Sequence, residues 1–215
     1  MRWYLALVLA GGCGRLAFDE LPPTDAADTP DLCVSDDFEA GAAAWQSVVG
    51  SFSISPGAGP DGSAVLRTGV NSKENLVTHP ALAGVDAARV EVDFAIDNAT
   101  TGDFNIYFLP GTLGTREDAY EVGLFPTTGD NPPDEITYIV GGTTSPLVQH
   151  PPTIDADTWH HVVVLRRTDG SIRVDLDGAF YMESSPDTTL GPPFTIAVRL
   201  YNEGRIDNVN VDCAP

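Results

Sequence analysis

Short apolar segments that alternate residue by residue with polar ones constrain this chain more than any other feature. Val90, Val92, Phe94 and Ile96 alternate with Arg89, Glu91, Asp93 and Asp97. Phe104, Ile106 and Phe108 alternate with Asn105 and Tyr107, and Tyr120, Val122 and Leu124 follow. Similar runs come at Ile136 to Val140, His161 to Leu165, Ile172 to Leu176, Phe194 to Leu200 and Ile206 to Val211. A period of two means strands with one buried face, and clusters of Gly, Pro, Asn and Asp between the runs supply the turns. No long helical period interrupts them. Many half-polar strands predict an all-β fold, a two-sheet antiparallel β-sandwich or jelly roll.

The three cysteines divide the chain. Met1 to Gly12 carries one arginine, then the apolar run Leu5 to Ala10, then two glycines before Cys13. One positive charge, a short apolar core and small residues follow the grammar of an export signal. The run is far shorter than the roughly 20 residues that span a bilayer. The string LVLAGGCG resembles a bacterial lipobox, with Ala10 where that motif usually has Leu. The resemblance implies cleavage after residue 12 and a lipid on the Cys13 thiol. A plain secretory signal and a buried apolar segment are the competing readings. Residues 13–32 carry several prolines and acids without a sustained period, which predicts a disordered, solvated tether. The folded domain is expected over 33–215.

In an exported chain the remaining two cysteines pair by default, so Cys33 and Cys213 are expected to form a disulfide. Two buried free thiols are the alternative. A bridge closing so long a loop contributes on the order of 5 kcal/mol in the chain-entropy picture. Thirty-one acidic residues face 11 basic ones, one of them a lysine, for a net charge of −20. Such a chain is poorly suited to nucleic acid or to anionic lipid. Its acids serve mainly as a solvated surface, and secondarily as oxygen ligands for hard cations.

Two long passages and the opening strand carry a family resemblance. TWHHVVVLRRTDGSIRVDLDGAF, from Thr158 to Phe180, resembles the hairpin of laminin-G-like and concanavalin A-like jelly rolls. FTIAVRLYNEGRIDNVNV, from Phe194 to Val211, resembles their last strands, and DDFEAGAAAWQSVVGSFSIS, from Asp36, their first. The resemblance implies a concanavalin A-like sandwich. It also implies a structural calcium between the Glu of "DFE" and the Asp of "IDN", here Glu39 and Asp207, with Asp175 and Asp177 as a weaker pair. Trp45 and Trp159 are expected to pack, Asp177 and Gly178 to form a turn, and His160 and His161 to point to opposite faces.

ARVEVDFAID resembles the E-x-D-x-x-E strand of family 16 glycoside hydrolases. Glu91 and Asp93 fill the first two places, but Ala95 and Ile96 stand where the acid/base Glu belongs. Retaining hydrolysis needs two carboxyls about 5–5.5 Å apart across the bond, so no catalytic residues are assigned. Strand parity instead groups Glu91, Asp93, Asn105, Tyr107, Glu121, Arg199 and Tyr201 as one polar, aromatic face, provided their strands are neighbours in one sheet. Such a face suits a glycan, and an ordinary solvated sheet face explains the same residues. The expected function is therefore a non-catalytic, lipid-anchored protein of the bacterial envelope, at the outer membrane or cell surface. Its domain binds a glycan or an envelope protein, with no cofactor beyond calcium. A glycan-cleaving enzyme of the same fold and a purely structural envelope protein are the alternatives.

Overall fold

The computed structural model describes residues 32–68, 74–111, 117–128 and 131–214. Cys13, the signal and most of the tether lie outside them. Two antiparallel sheets face each other. The first, sheet A, contains β1 (Leu32–Asp36), β3 (Phe52–Ser55), β4 (Val65–Thr68), β7 (Ala88–Ile96), β12 (His160–Arg166), β13 (Ile172–Leu176), β14 (Ala179–Glu183) and β16 (Gly204–Asp212). The second, sheet B, contains β2 (Gln46–Val49), β5 (Glu74–Thr78), β6 (Ala83–Val85), β8 (Asp103–Pro110), β9 (Ala119–Leu124), β10 (Asp134–Val140), β11 (Thr143–His150) and β15 (Phe194–Tyr201). A 3-10 turn, Pro80–Leu82, precedes β6. The sandwich predicted from the alternation is present.

Sheet A runs β14-β13-β12-β7-β16-β4-β3, with β1 also on β16. Sheet B runs β11-β10-β9-β8-β15-β5-β2, with β6 also on β15. Inward rows fill the space between them. Val90, Val92 and Phe94 of β7 meet Phe104, Ile106 and Phe108 of β8 in one buried cluster. The Phe94 and Phe104 rings stack with centroids 4.1 Å apart, fixing the two sheets face to face. Burial of such side chains contributes about 1.5–3 kcal/mol each. Arg166 is a buried cation at the sheet interface, its guanidinium 4.2 Å from the Phe194 ring centre and 4.9 Å from that of Tyr120.

The chain ends close together. Cys33 and Cys213 form a disulfide with their Cα atoms 5.9 Å apart, spanning 180 residues of sequence. The bridge joins β1 to the end of β16, which antiparallel pairing from Leu32 to Asp36 already places side by side. Trp45 is buried, donates its indole N–H to Asp36 at 2.8 Å and lies against Phe38. Trp159 is half-buried beneath the Arg205 guanidinium. His160 is buried and His161 is half-exposed, as alternation requires.

Candidate functional site

Five of the seven residues expected to form one polar face share the outer side of sheet B. Antiparallel register sets Arg199 of β15 opposite Asn105 of β8, and Asn105 opposite Gly123 of β9. One row along, Tyr107 faces Glu121. At the strand ends, Tyr201 faces Asp103 on one side and Glu74 on the other.

The other two, Glu91 and Asp93, require a correction. They lie on β7, whose hydrogen-bonded neighbours are β12 and β16, whereas β8 pairs with β9 and β15. The chain crosses from one sheet to the other between β7 and β8, so equal parity places these acids on the opposite outer surface. There Glu91 pairs with Arg89. Asp93 accepts from the His161 ring at 2.7 Å and from the Asn208 amide at 2.8 Å. Asp97, further along the same run, is held by Arg67 and Arg205.

The sheet B cluster is organised around Arg199, which is nearly buried. Its Nη1 donates to Asn105 Oδ1 at 2.9 Å and lies 3.4 Å from an Asp103 oxygen. Its Nε lies 3.5 Å from Glu74 Oε1, and its guanidinium carbon stands 4.9 Å from the Tyr201 ring centre. Tyr107 donates its hydroxyl proton to Glu121 Oε1 at 2.7 Å. Burial pushes the Asp103 carboxyl up to about 6, with Arg199 opposing and Glu121 reinforcing the shift. Burial first, then the Glu121 charge, raises the Tyr107 phenol far above its ordinary range. These groups are poised to exchange hydrogen bonds while remaining largely out of water, where each such bond is stronger.

Beside them opens a cleft of about 480 Å³, lined by Tyr107, Glu117, Glu121, Ile139, Gly142, Thr144 and Arg199. Sequence reasoning missed Glu117 and Thr144. The tight turn between β10 and β11 brings them together. Gly141 and Gly142 adopt φ of +56° and +75°, which side chains resist, and the Gly142 N–H donates to the Glu117 carbonyl at 2.8 Å. The Gly-Gly pair between two alternating runs was the signal for that hairpin. Phe125 was missed as well. Its ring occupies the place beside Gly123, where an added Cβ would come within 3.2 Å of it. A hollow of about 630 Å³ near the chain ends is lined mainly by small side chains with Asp36, Asp37, Asn208 and Asn210. On the outer side of sheet A, Arg89 and Glu91 pair, as do Arg173 and Asp175.

The two acids expected to bind calcium converge on one turn. Glu39 Oε1 accepts from the Ala64 N–H at 2.6 Å, and Asp207 Oδ2 from the Ser63 hydroxyl at 2.5 Å. Asp207 sits at a bulge, since one extra residue separates its pairing with Asp93 from that of Asn210 with Glu91. It is fully buried, and desolvation raises its pKa, with Asp61 and Asp93 adding to the rise. Among the described residues no lysine or arginine pairs with it, so a hard cation would relieve this charge. No group of three or more His, Cys, Asp or Glu among the described residues is placed to hold a metal, so carbonyls and water would have to complete a calcium shell. Asp177, from the weaker pair, instead accepts from His160 and from the His161 N–H.

No family model matches the chain, and no curated protein matches its sequence. Solved structures do match its fold. The carbohydrate-binding module CBM66 from Bacillus subtilis aligns with a TM-score of 0.60 at 13% identity, over 79% of this chain and 95% of the module. The exoplasmic/lumenal domain of VIP36, in a Ca2+/Man-bound form, aligns at 0.57 and 14% identity, over 79% and 83%. A structure from work on endo-acting O-glycanases of the human gut microbiota aligns at 0.58 and 16% identity, over 86% and 100%. The chain therefore has the concanavalin A-like jelly-roll fold expected from its sequence.

Proposed function

We propose that this chain is a non-catalytic, lipid-anchored protein of the bacterial envelope, exported through its N-terminal signal and held by a lipid on Cys13. Its jelly-roll domain binds a glycan in the cleft on the outer side of sheet B. The observation that carries this reading is that Arg199, Tyr107 and Glu121, with Asn105 bonded to Arg199 beneath them, line a cleft on a lectin-type fold. Sugar hydroxyls both donate and accept, and a site of mixed polarity beside aromatic rings matches them. The non-catalytic reading is supported by Glu91 and Asp93 of β7 and by Asp97 just beyond it, each of which is bonded to a neighbouring cation or amide. Glu39 and Asp207 would supply the acidic ligands of a structural calcium, which would neutralise a buried carboxylate and tie the first loop to β16.

The test is a glycan array probed with the full chain. Saturable binding that Tyr201→Ala and Glu121→Gln reduce at least tenfold, with folding intact, supports the reading. An array with no bound glycan overturns it. Reducing-sugar release that Glu91→Gln abolishes would establish the glycan-cleaving alternative.

A further inference from the structure

We infer that the outer face of sheet A carries a separate saccharide-binding site, built around Phe180 and independent of the sheet B cleft. Together with the sheet B reading it would make the domain bivalent, but it stands without that reading.

Strand register aligns Glu91, Val163, Asp175 and Phe180 in one row across β7, β12, β13 and β14. Arg89, Leu165, Arg173 and Glu183 form the next row. A cleft of about 480 Å³ opens over these rows. Its floor is Val163 and Leu165, which stand where a solvated sheet face ordinarily has polar residues. Its wall is Phe180, 59% exposed and the most exposed of the large apolar side chains among the described residues. The hairpin that presents this ring is braced. It turns through Asp177 and Gly178, both at positive φ, and the Asp177 carboxylate accepts from the His161 N–H and bonds the His160 ring. The Arg173 guanidinium stands 5.1 Å from the Phe180 ring centre and is clamped by Asp175 through Nε at 3.0 Å and Nη2 at 2.7 Å. A wall positioned in advance lowers the entropy cost of binding.

The rim offers hydrogen bonds of both kinds. Arg89 pairs with Glu91, Arg173 with Asp175 and Arg167 with Glu183, and these six side chains are between 24% and 37% exposed. Charge is balanced within each pair. A guanidinium has five N–H donors and a carboxylate about four acceptor positions, so every pair keeps unused capacity to donate and to accept. Backbone groups are taken, because β7, β12 and β13 each have both edges in ladders. An extended peptide adding to a sheet needs such backbone partners. A sugar ring does not: its C–H face stacks on the electron-rich face of Phe180, and its hydroxyls exchange bonds with the paired rim.

The experiment places the full chain and its variants on an array of oligosaccharides of the common hexoses and N-acetylhexosamines, with calorimetry on each hit. At least one hit should persist in Tyr201→Ala and fall at least tenfold in Phe180→Ala and in Phe180→Leu. Phe180→Trp should retain it, and the melting temperature should stay unchanged in all three Phe180 variants. Hits lost in Phe180→Ala but not in Tyr201→Ala support this site even if no other hit remains, in which case the sheet B reading alone fails. Hits that are all lost in Tyr201→Ala and all unaffected by Phe180→Ala overturn this inference and leave the sheet B reading standing. Full binding by Phe180→Leu overturns it, since apolar bulk would then suffice without a ring. Self-association that depends on Phe180, seen by sedimentation, overturns it by assigning the face to a second copy of the chain. An array without hits overturns both sites.

Discussion

The Tyr107 hydroxyl donates to Glu121 Oε1 across 2.7 Å, joining two facing residues of neighbouring strands at the wall of the sheet B cleft. A hydrogen bond to a charged, partly desolvated acceptor contributes about 1.5–3 kcal/mol. Tyr107→Phe keeps the ring and removes this bond. The expected result is a loss of about 2 kcal/mol in denaturant unfolding together with at least tenfold weaker glycan binding. Unchanged binding would remove this pair from the site.

Asp103 links stability to pH. Its folded pKa of about 6 lies above its ordinary value of 3.8, so the folded chain holds a proton there that the unfolded chain has released. The benefit is complete below about pH 4 and is lost as pH rises through 6. Two units correspond to as much as about 3 kcal/mol. Asp103→Asn removes this dependence. The melting temperature of the variant minus that of the wild type should therefore become more positive from pH 4 to pH 7, as read by calorimetry. A flat difference would show that Asp103 titrates normally.

Calcium should stabilise the protein through Glu39 and Asp207. A site with a dissociation constant of about 0.1–1 mM would add roughly 1.4–2.7 kcal/mol at about 10 mM calcium, or several degrees in melting temperature. Asp207→Asn should abolish that increment. If calcium and a chelator give the same melting curve for the wild type, the two acids serve only to bind the Ser63–Ala64 turn.

Reduction of the Cys33–Cys213 bridge should lower stability by about 3 kcal/mol, below the chain-entropy limit of about 5 because β1 and β16 pairing already holds the ends, or by roughly 6–12 °C in melting temperature. Peptide mapping without reductant should recover the two cysteines in one linked species. An unchanged melting temperature after complete reduction would show that pairing of β1 with β16 holds the ends without covalent help.

Cys13→Ala should convert a membrane-fraction protein into a released one in cells that make it. An unchanged membrane fraction would refute lipid attachment at that residue.

The strands were legible because burial imposes a period of two. The inward rows of β7, β8 and β15 stand as their alternation requires. Sheet membership was not legible, because alternation states which side of a strand is apolar and not which strand lies beside it. Glu91 and Asn105 have the same parity and end on opposite surfaces. Glu117 and Thr144 escaped for a different reason. Their meeting depends on the Gly141–Gly142 turn and a single backbone hydrogen bond, and neither residue carries a chemical signature. Asp103 and Glu74 escaped too, because only strand register sets them on either side of Tyr201.

The bridge between Cys33 and Cys213 also determines how the domain answers to force. A pull on the chain ahead of Cys33 would otherwise peel β1 from β16 one hydrogen bond at a time. With the bond in place, tension passes through sulfur directly to the end of β16, which lies between β7 on one side and β1 and β4 on the other. The load is then borne by several ladders sheared together. A domain held from its N-terminal side and gripping a fixed ligand with its other sheet would yield at its outer strands before it yielded at its attachment.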